Sequence, residues 1–466
     1  MVLSPALPEA NPGDRAASAA GLAALCAWAV TARARPLPEP VRRRAAMVLA
    51  DDLSAIVAAA GEPQIAQARA LLLASGGTAE ATVLAPGVPR ATREQAAAAN
   101  GLAVCWAELD EGYRPLPCHA GAYVLPALLA EAEATDRTLD EVLAALAVGY
   151  EITARIAGAY PFHRLSVHPH AAFNAIGAAA GLSALRGHDA DTMFSAVTAA
   201  STMVNPGPFN HAIEGALVRN VWTSIGATAG FRAADFAPLG IAGLHCALHD
   251  VFVDCFGCRP RSEELSRDLP TGHGAWAIES GYHKLYACCQ YTHSAVEASL
   301  SLAGRVSDHS RISAIEVETH ARGLALDVRV PATVLAAKFS MPHAVAAVAV
   351  RADAGPRSFD TASLGDPAIA LLREAVRLVP HDDVRATPND RPARVHWILN
   401  DGTRLTAVVD SARGGADQPF AESELMDKFA RLTRDTFPAA GEVLAAMVAG
   451  RDVGTRWGDV LARIVA

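Results

Sequence analysis

Aromatic residues make up only 6% of this 466-residue chain and charged residues only 19%, while 51% is apolar. That balance excludes an extended, highly charged disordered protein and fits a compact chain with a large core. Scarce aromatics and β-branched runs, set against abundant alanine, argue against a β-sandwich and for close-packed helices. Basic residues do not predominate: 40 Lys and Arg face 49 Asp and Glu, for a net charge of −9. Without a basic stripe there is no footprint for nucleic acid. The densest basic stretch, residues 33–44, is broken by three prolines and a glutamate and reads as a solvated loop leading into a helix.

Several signatures are missing. The start carries no basic segment followed by an apolar one, and the apolar run at 16–32 is interrupted by small polar residues, so no membrane partner is expected. Eight cysteines in so long a chain do not form a disulfide framework, which points to reduced thiols and a cytoplasmic location. No G-x-G-x-x-G, no phosphate-binding glycine loop and no G-x-S-x-G elbow occurs, so neither a nucleotide cofactor nor a serine-hydrolase mechanism is expected. For metal, Cys255 and Cys258 lack a second pair, His245 and His249 lack the glutamate of H-E-x-x-H, and neighbouring Cys288 and Cys289 read as packing residues. No metal is expected either.

The length exceeds one ordinary core and predicts two domains. Residues 1–15 read as irregular. Residues 39–265 read as helical, with capping boxes at Thr92/Gln95 and Thr138/Glu141, and residues 171–187 are apolar nearly all round, as in a central bundle helix. Residues 311–320 alternate like a strand, and 393–410 read as a hairpin around Asn400-Asp401-Gly402. Helical stretches are expected at 344–355 and 367–379, and amphipathic helices return from Glu422. The chain is thus mainly α: an all-helical domain from 1–270 and 416–466, with a smaller α+β domain at 271–415.

Five polar clusters precede strongly apolar helices. They hold Glu108, Asp110, Glu111 and His119; His163, His168 and His170; Arg219; Lys284, Tyr286, Tyr291 and His293; and Lys338, Ser340 and His343. Convergent helix N-termini with Arg and Lys form a cationic pocket inside an acidic protein, suited to a small di- or tricarboxylate.

In their order, "AELDEGYRPLPCHAGAYVLPALLAEAEA", "VHPHAAFNAIGAAAG", "EGALVRNVWTSIGATAG", "KLYACCQYTHSAVEA" and "AKFSMPHAVA" resemble the MmgE/PrpD family over nearly the whole chain. That family includes 2-methylcitrate dehydratase, cis-aconitate decarboxylase and iminodisuccinate epimerase. The resemblance implies a homodimer without metal or organic cofactor, whose active site lies between a helical domain and an α+β lid. It puts the family's acidic stretch on Glu108, Asp110 and Glu111, and its histidines and lysine on His119, His168 and Lys284. Two positions depart from the dehydratase and decarboxylase pattern: Arg219 replaces lysine and His343 replaces tyrosine. Guanidinium stays charged and clamps, whereas histidine transfers protons near neutral pH.

These departures lead to the expectation of a cofactor-independent isomerase that epimerises an aminopolycarboxylate, iminodisuccinate, by proton removal and return beside a carboxylate. His119, His168, Lys284 and His343 are its candidate proton-transfer groups. Arg219, Glu108, Asp110, Glu111, His163, Tyr286 and Lys338 are the candidate substrate-binding groups. A 2-methylcitrate-type dehydratase is the alternative, and cis-aconitate decarboxylation comes after it.

Overall fold

The protein is described by a computed structural model covering residues 12–162, 164, 166–306 and 308–466. It is mainly α, with a small α+β part. Both expected capping boxes form, at Thr92/Gln95 and Thr138/Glu141, and each opens a helix (Arg93–Val104 and Leu139–Ala159). The helix Pro169–Arg186 is central: it packs against Ala120–Ala134, Leu139–Ala159 and Val221–Phe236, and every residue from Pro169 to Leu185 is buried. Small residues permit this closeness. A Cβ on Gly149 would lie 3.0 Å from Cα of Gly181 on the facing helix, so only glycine lets the two backbones touch.

One hydrophobic core runs through residues from Leu22 to Ile278 and takes in Phe420 to Ile464 from the last helices. A second is built from residues between Cys289 and Leu399, with Phe209 and Ala212 reaching in from the helical part. Two short strands, β1 (Gly112–Tyr113) and β2 (Gly281–Tyr282), pair antiparallel, with Gly112 opposite Tyr282. The second core contains a four-stranded sheet. β3 (Ile312–Thr319) lies between β4 (Val376–Pro380), parallel to it, and β5 (Ala393–Leu399), antiparallel; β6 (Arg404–Val409) completes the far edge. The helix His293–Ala303 covers β5 and β6.

Two expectations are corrected. The helix Pro12–Arg33 begins inside the stretch read as irregular, with proline in the first turn, where its missing N–H is harmless. Residues 367–379 are not one helix: Pro367–Glu374 is helical and Val376–Pro380 is β4. Valines at 376 and 379 and the proline that follows favour extended backbone, and pairing with β3 settles it. The helices Gly13–Arg33 and Leu139–Ala159 are long and apolar enough to cross a membrane, but the second is packed inside the helical core.

Candidate active site

The pairing of β1 with β2 sets the site. It brings the segment just before Gly112 alongside the segment just after Tyr282, so Asp110 and Lys284 face each other. The segment before β1 is strained: Glu108 adopts a left-handed φ of 55°, which is uncommon outside glycine. Asp110 is fully buried, yet Lys284 and His119 outweigh that burial and hold its carboxyl well below the usual carboxylate range.

His119 is the N-cap of the helix Ala120–Ala134. Its Nδ1 lies 2.6 Å from Asp110 Oδ2 and 2.8 Å from the Glu111 carbonyl oxygen. Both neighbours are acceptors, so Nδ1 carries a proton, and in the neutral ring Nε2 is the basic nitrogen. A base oriented in this way takes up a proton without first having to rearrange.

Lys284 is buried, and its Nζ stands 3.5 Å from Glu108 Oε2 and 3.6 Å from Asp110 Oδ1. Among the described residues Nζ has no hydrogen-bond partner. Burial opposes its charge, but Asp110 and Glu108 raise its pKa above the ordinary lysine range. It is therefore a fixed ammonium with donors to spare. Arg219 lies in the short helical turn Leu217–Asn220, where it pairs with Glu108 and donates to the Cys105 carbonyl at 3.0 Å. Its guanidinium also sits over the Phe339 ring, 5.6 Å from the centroid. Burial opposes this charge too, but Glu108, with Asp110 and other neighbours, outweighs it.

His168 caps the helix Pro169–Arg186, its Nδ1 accepting from the His170 N–H at 3.2 Å. Any ring proton is therefore on Nε2. Burial, reinforced by Arg219, pushes its pKa well below the ordinary histidine value, so the ring is neutral.

One small cavity is walled by Glu108, His119, His168, Arg219 and Lys284 together with Phe209, Cys289, Tyr291 and Phe339. Its wall draws on both hydrophobic cores. A neighbouring apolar cavity shares Pro117, Pro169 and Phe209 with it; among the described residues its ionisable groups are Tyr160, Arg164 and Arg322.

Other expected site residues lie elsewhere. Glu111 sits behind the cavity, its carboxylate accepting from the Gly121 N–H at 2.8 Å and the Tyr150 hydroxyl at 3.1 Å; burial pushes it up to about 8. Tyr286 donates to Glu297 and does not line the cavity. Lys338 donates to the Trp106 carbonyl at 2.6 Å and lines a separate cavity with Glu62 and Asp360; burial draws its pKa down to about 8. His343 is buried in the second half of the molecule, with Nε2 on the Ser358 carbonyl and Nδ1 beside Arg373. Burial lowers it to about 4, so it does not titrate near neutral pH as expected, and it does not reach the cavity. His163 lies outside the described residues.

Cys289, read as packing, lines the cavity, with a thiol pushed up to about 12 by burial. Cys288 does pack, accepting from Thr292. Sequence reading also missed Phe209 and Phe339, apolar side chains with no chemical signal of their own although His211 and Lys338 stand close by in the chain. Cys105, Asp110 and His170 offer metal-ligand atoms within 4.8 Å of one another. Asp110 is already engaged by His119, and burial keeps the Cys105 thiol protonated, donating to Asp110 at 3.4 Å. Cys105 and His119 thus support Asp110 by hydrogen bonds, while His170 Nδ1 bonds the Tyr123 hydroxyl at 2.9 Å.

Residues 23–252 match the MmgE/PrpD N-terminal domain and residues 286–450 the MmgE/PrpD C-terminal domain. The chain is also 26% identical over 441 residues to a cis-aconitate decarboxylase-like protein of Aspergillus oryzae, an alignment covering 88% of this chain and 90% of that one. With both halves matched in order, the chain belongs to the MmgE/PrpD family.

Proposed function

We propose that this protein transfers a proton at the carbon next to a carboxylate of a small polycarboxylate, and that it epimerises an aminopolycarboxylate of the iminodisuccinate kind. The observation that carries the reading is that Asp110 serves both His119 and Lys284, one through each carboxylate oxygen. His119 Nε2 takes the α-proton, and the C–H electron pair moves into the adjacent carboxylate as an enediolate. The Lys284 ammonium returns a proton to the opposite face. Exchange with solvent then resets an imidazolium and an amine to imidazole and ammonium, so no proton is gained or lost. Fixed positive charge from Lys284 and Arg219 stabilises the doubly charged intermediate, each such donor contributing roughly 3 kcal/mol. His168 offers Nε2–H to a substrate carboxylate. Glu108, an anion in the cavity wall, gives a secondary ammonium a partner that a hydroxy acid would not use.

A second reading has a specific basis. His343 lies away from the cavity, so one of the two departures from the dehydratase pattern no longer bears on the chemistry. The same base could open the dehydration of a 2-methylcitrate-like hydroxy acid. Single stereoisomers of iminodisuccinate, followed by proton NMR in D2O with 2-methylcitrate in a parallel tube, separate the two. Loss of the α-proton signal with growth of another stereoisomer supports epimerisation. An inert iminodisuccinate, with an alkene-bound methyl singlet or a vinyl signal rising from 2-methylcitrate, replaces it with dehydration.

A further inference from the structure

The strained segment that carries Glu108 and Asp110 is held by three buried cations, each on a different backbone carbonyl. Arg219 donates to Cys105 at 3.0 Å, Lys338 to Trp106 at 2.6 Å and Lys428 to Leu109 at 2.7 Å. Only Arg219 belongs to the cavity wall. The two lysines come from opposite directions. Lys338 ends the short helix Val334–Lys338, between Leu335 and Phe339 of the second core. Lys428 lies on the helix Glu422–Thr433 with Leu425 and Phe429, inside the stripe that faces the first core.

Lys428 is tied in further. Its Nζ pairs with Asp51, which belongs to the buried part of the helix Glu39–Ala58. The other Asp51 oxygen, Oδ2, lies 2.7 Å from Nδ1 of His283, the residue next to Lys284. One buried ion pair therefore touches both strands of the site, the backbone between Glu108 and Asp110 on one side and the neighbour of Lys284 on the other. Burying such charges gives little net stability compared with apolar side chains of the same volume. Their geometry accounts for them better: each fixes a carbonyl of a segment whose φ at Glu108 is unfavourable unless the surroundings enforce it.

We infer that Lys338 and Lys428 are positioning residues that clamp residues 105–111 from outside the cavity, so that Asp110 reaches both His119 and Lys284. This rests on the proton-transfer reading of that trio. Lys338 adds a second consequence, since its hydrogen bond joins the second core to the loop that carries the base's orienter.

Two variants test the clamp. Lys338→Met removes a donor to a carbonyl and leaves no partner carboxylate behind. Asp51→Asn combined with Lys428→Met removes both charges of the ion pair while still freeing the Leu109 carbonyl. For each, the melting temperature, kcat and KM of the α-proton exchange, and amide hydrogen exchange of the peptide spanning 105–111 would be compared with wild type. The clamp predicts a melting temperature near wild type, faster amide exchange in that peptide, and kcat lowered about 10- to 100-fold with KM changed less than about threefold, as misplacement near 1 Å produces. Unchanged exchange in the peptide in both variants, or faster exchange with unchanged kcat, overturns it. A wild-type protein inactive on every polycarboxylate offered would overturn the proton-transfer reading instead, and the exchange measurement would still decide whether the lysines hold the loop.

Discussion

Nδ1 of His119 lies 2.6 Å from Oδ2 of Asp110, a distance that commits the ring proton to that side. Replacing the acceptor by a donor reverses the commitment. In Asp110→Asn the amide can present N–H to Nδ1, the proton moves to Nε2 and the base is blocked. The variant should fold and bind, with kcat for α-proton exchange lowered about 10²- to 10⁴-fold, the range typical of general-base loss. Initial rates of deuterium incorporation would measure it, and a variant within threefold of wild type would remove Asp110 from the mechanism.

Lys284 can be separated from a simple charge by comparing two replacements. Lys284→Met removes both charge and proton, and Lys284→Arg keeps the charge but replaces the compact ammonium by a planar fork whose N–H groups stand elsewhere. Epimerisation should be lost in both, since delivery to the second face needs a proton held where Nζ stands. Wash-out of the α-proton into D2O without inversion should survive in Lys284→Arg at a reduced rate. Equal loss of wash-out and inversion in the arginine variant would count against Lys284 as the acid.

Arg219 and Glu108 form a buried ion pair, and removing one member strands the other. Arg219→Met should lower unfolding stability by about 3–5 kcal/mol, as breaking a buried pair does. Glu108→Gln combined with Arg219→Met should recover most of that loss in urea denaturation while activity stays absent. No recovery in the double variant would mean that the cost arises from the Cys105 and Phe339 contacts instead.

Glu111 links the same region to pH. Burial raises its carboxyl from 4.5 to about 8, so the folded protein holds this proton where the unfolded chain has released it. Its contribution to stability is therefore complete below about pH 4.5 and lost as pH rises through about 8. His283 has the opposite sign: burial lowers it from 6.5 to about 4, so its contribution is complete above pH 6.5 and lost as pH falls through about 4. Glu111→Gln should flatten the fall in melting temperature between pH 5 and 8 and leave the acid-side fall in place. Parallel wild-type and variant curves across that alkaline limb would contradict the assignment.

Much of the framework is legible in the residues, because periodicity and capping are local. Thr92 with Gln95 and Thr138 with Glu141 mark helix starts that form as read, and the alternation at 311–320 and 393–410 marks β3, β5 and β6. β4 was hidden because five residues directly after a helix inherit its apolar spacing, and only pairing with β3 distinguishes them. At the site, His119, His168, Arg219 and Lys284 stand out as polar groups beside apolar helices. Clusters at helix starts do not reveal which side chains turn inward together, so His343 and Lys338 looked equivalent to His119. Asp51 and Lys428 were readable in principle: each interrupts an apolar run on the buried face of its helix. A charge in such a position requires a partner, but its partner lies 377 residues away and has no local signature.

The carbonyls of Cys105, Trp106 and Leu109 are grasped by side chains at positions 219, 338 and 428, so the grip closes in chain order. Domains fold as units while a ribosome is still adding residues. The early helices can therefore pack long before position 428 exists. A nascent chain would already display His119 and Asp110 but lack the last handhold on the loop between them. On the proposed reading, competence for chemistry arrives only after position 428 has been added, and a product truncated before it, however well its first helices fold, should be inert toward small polycarboxylates.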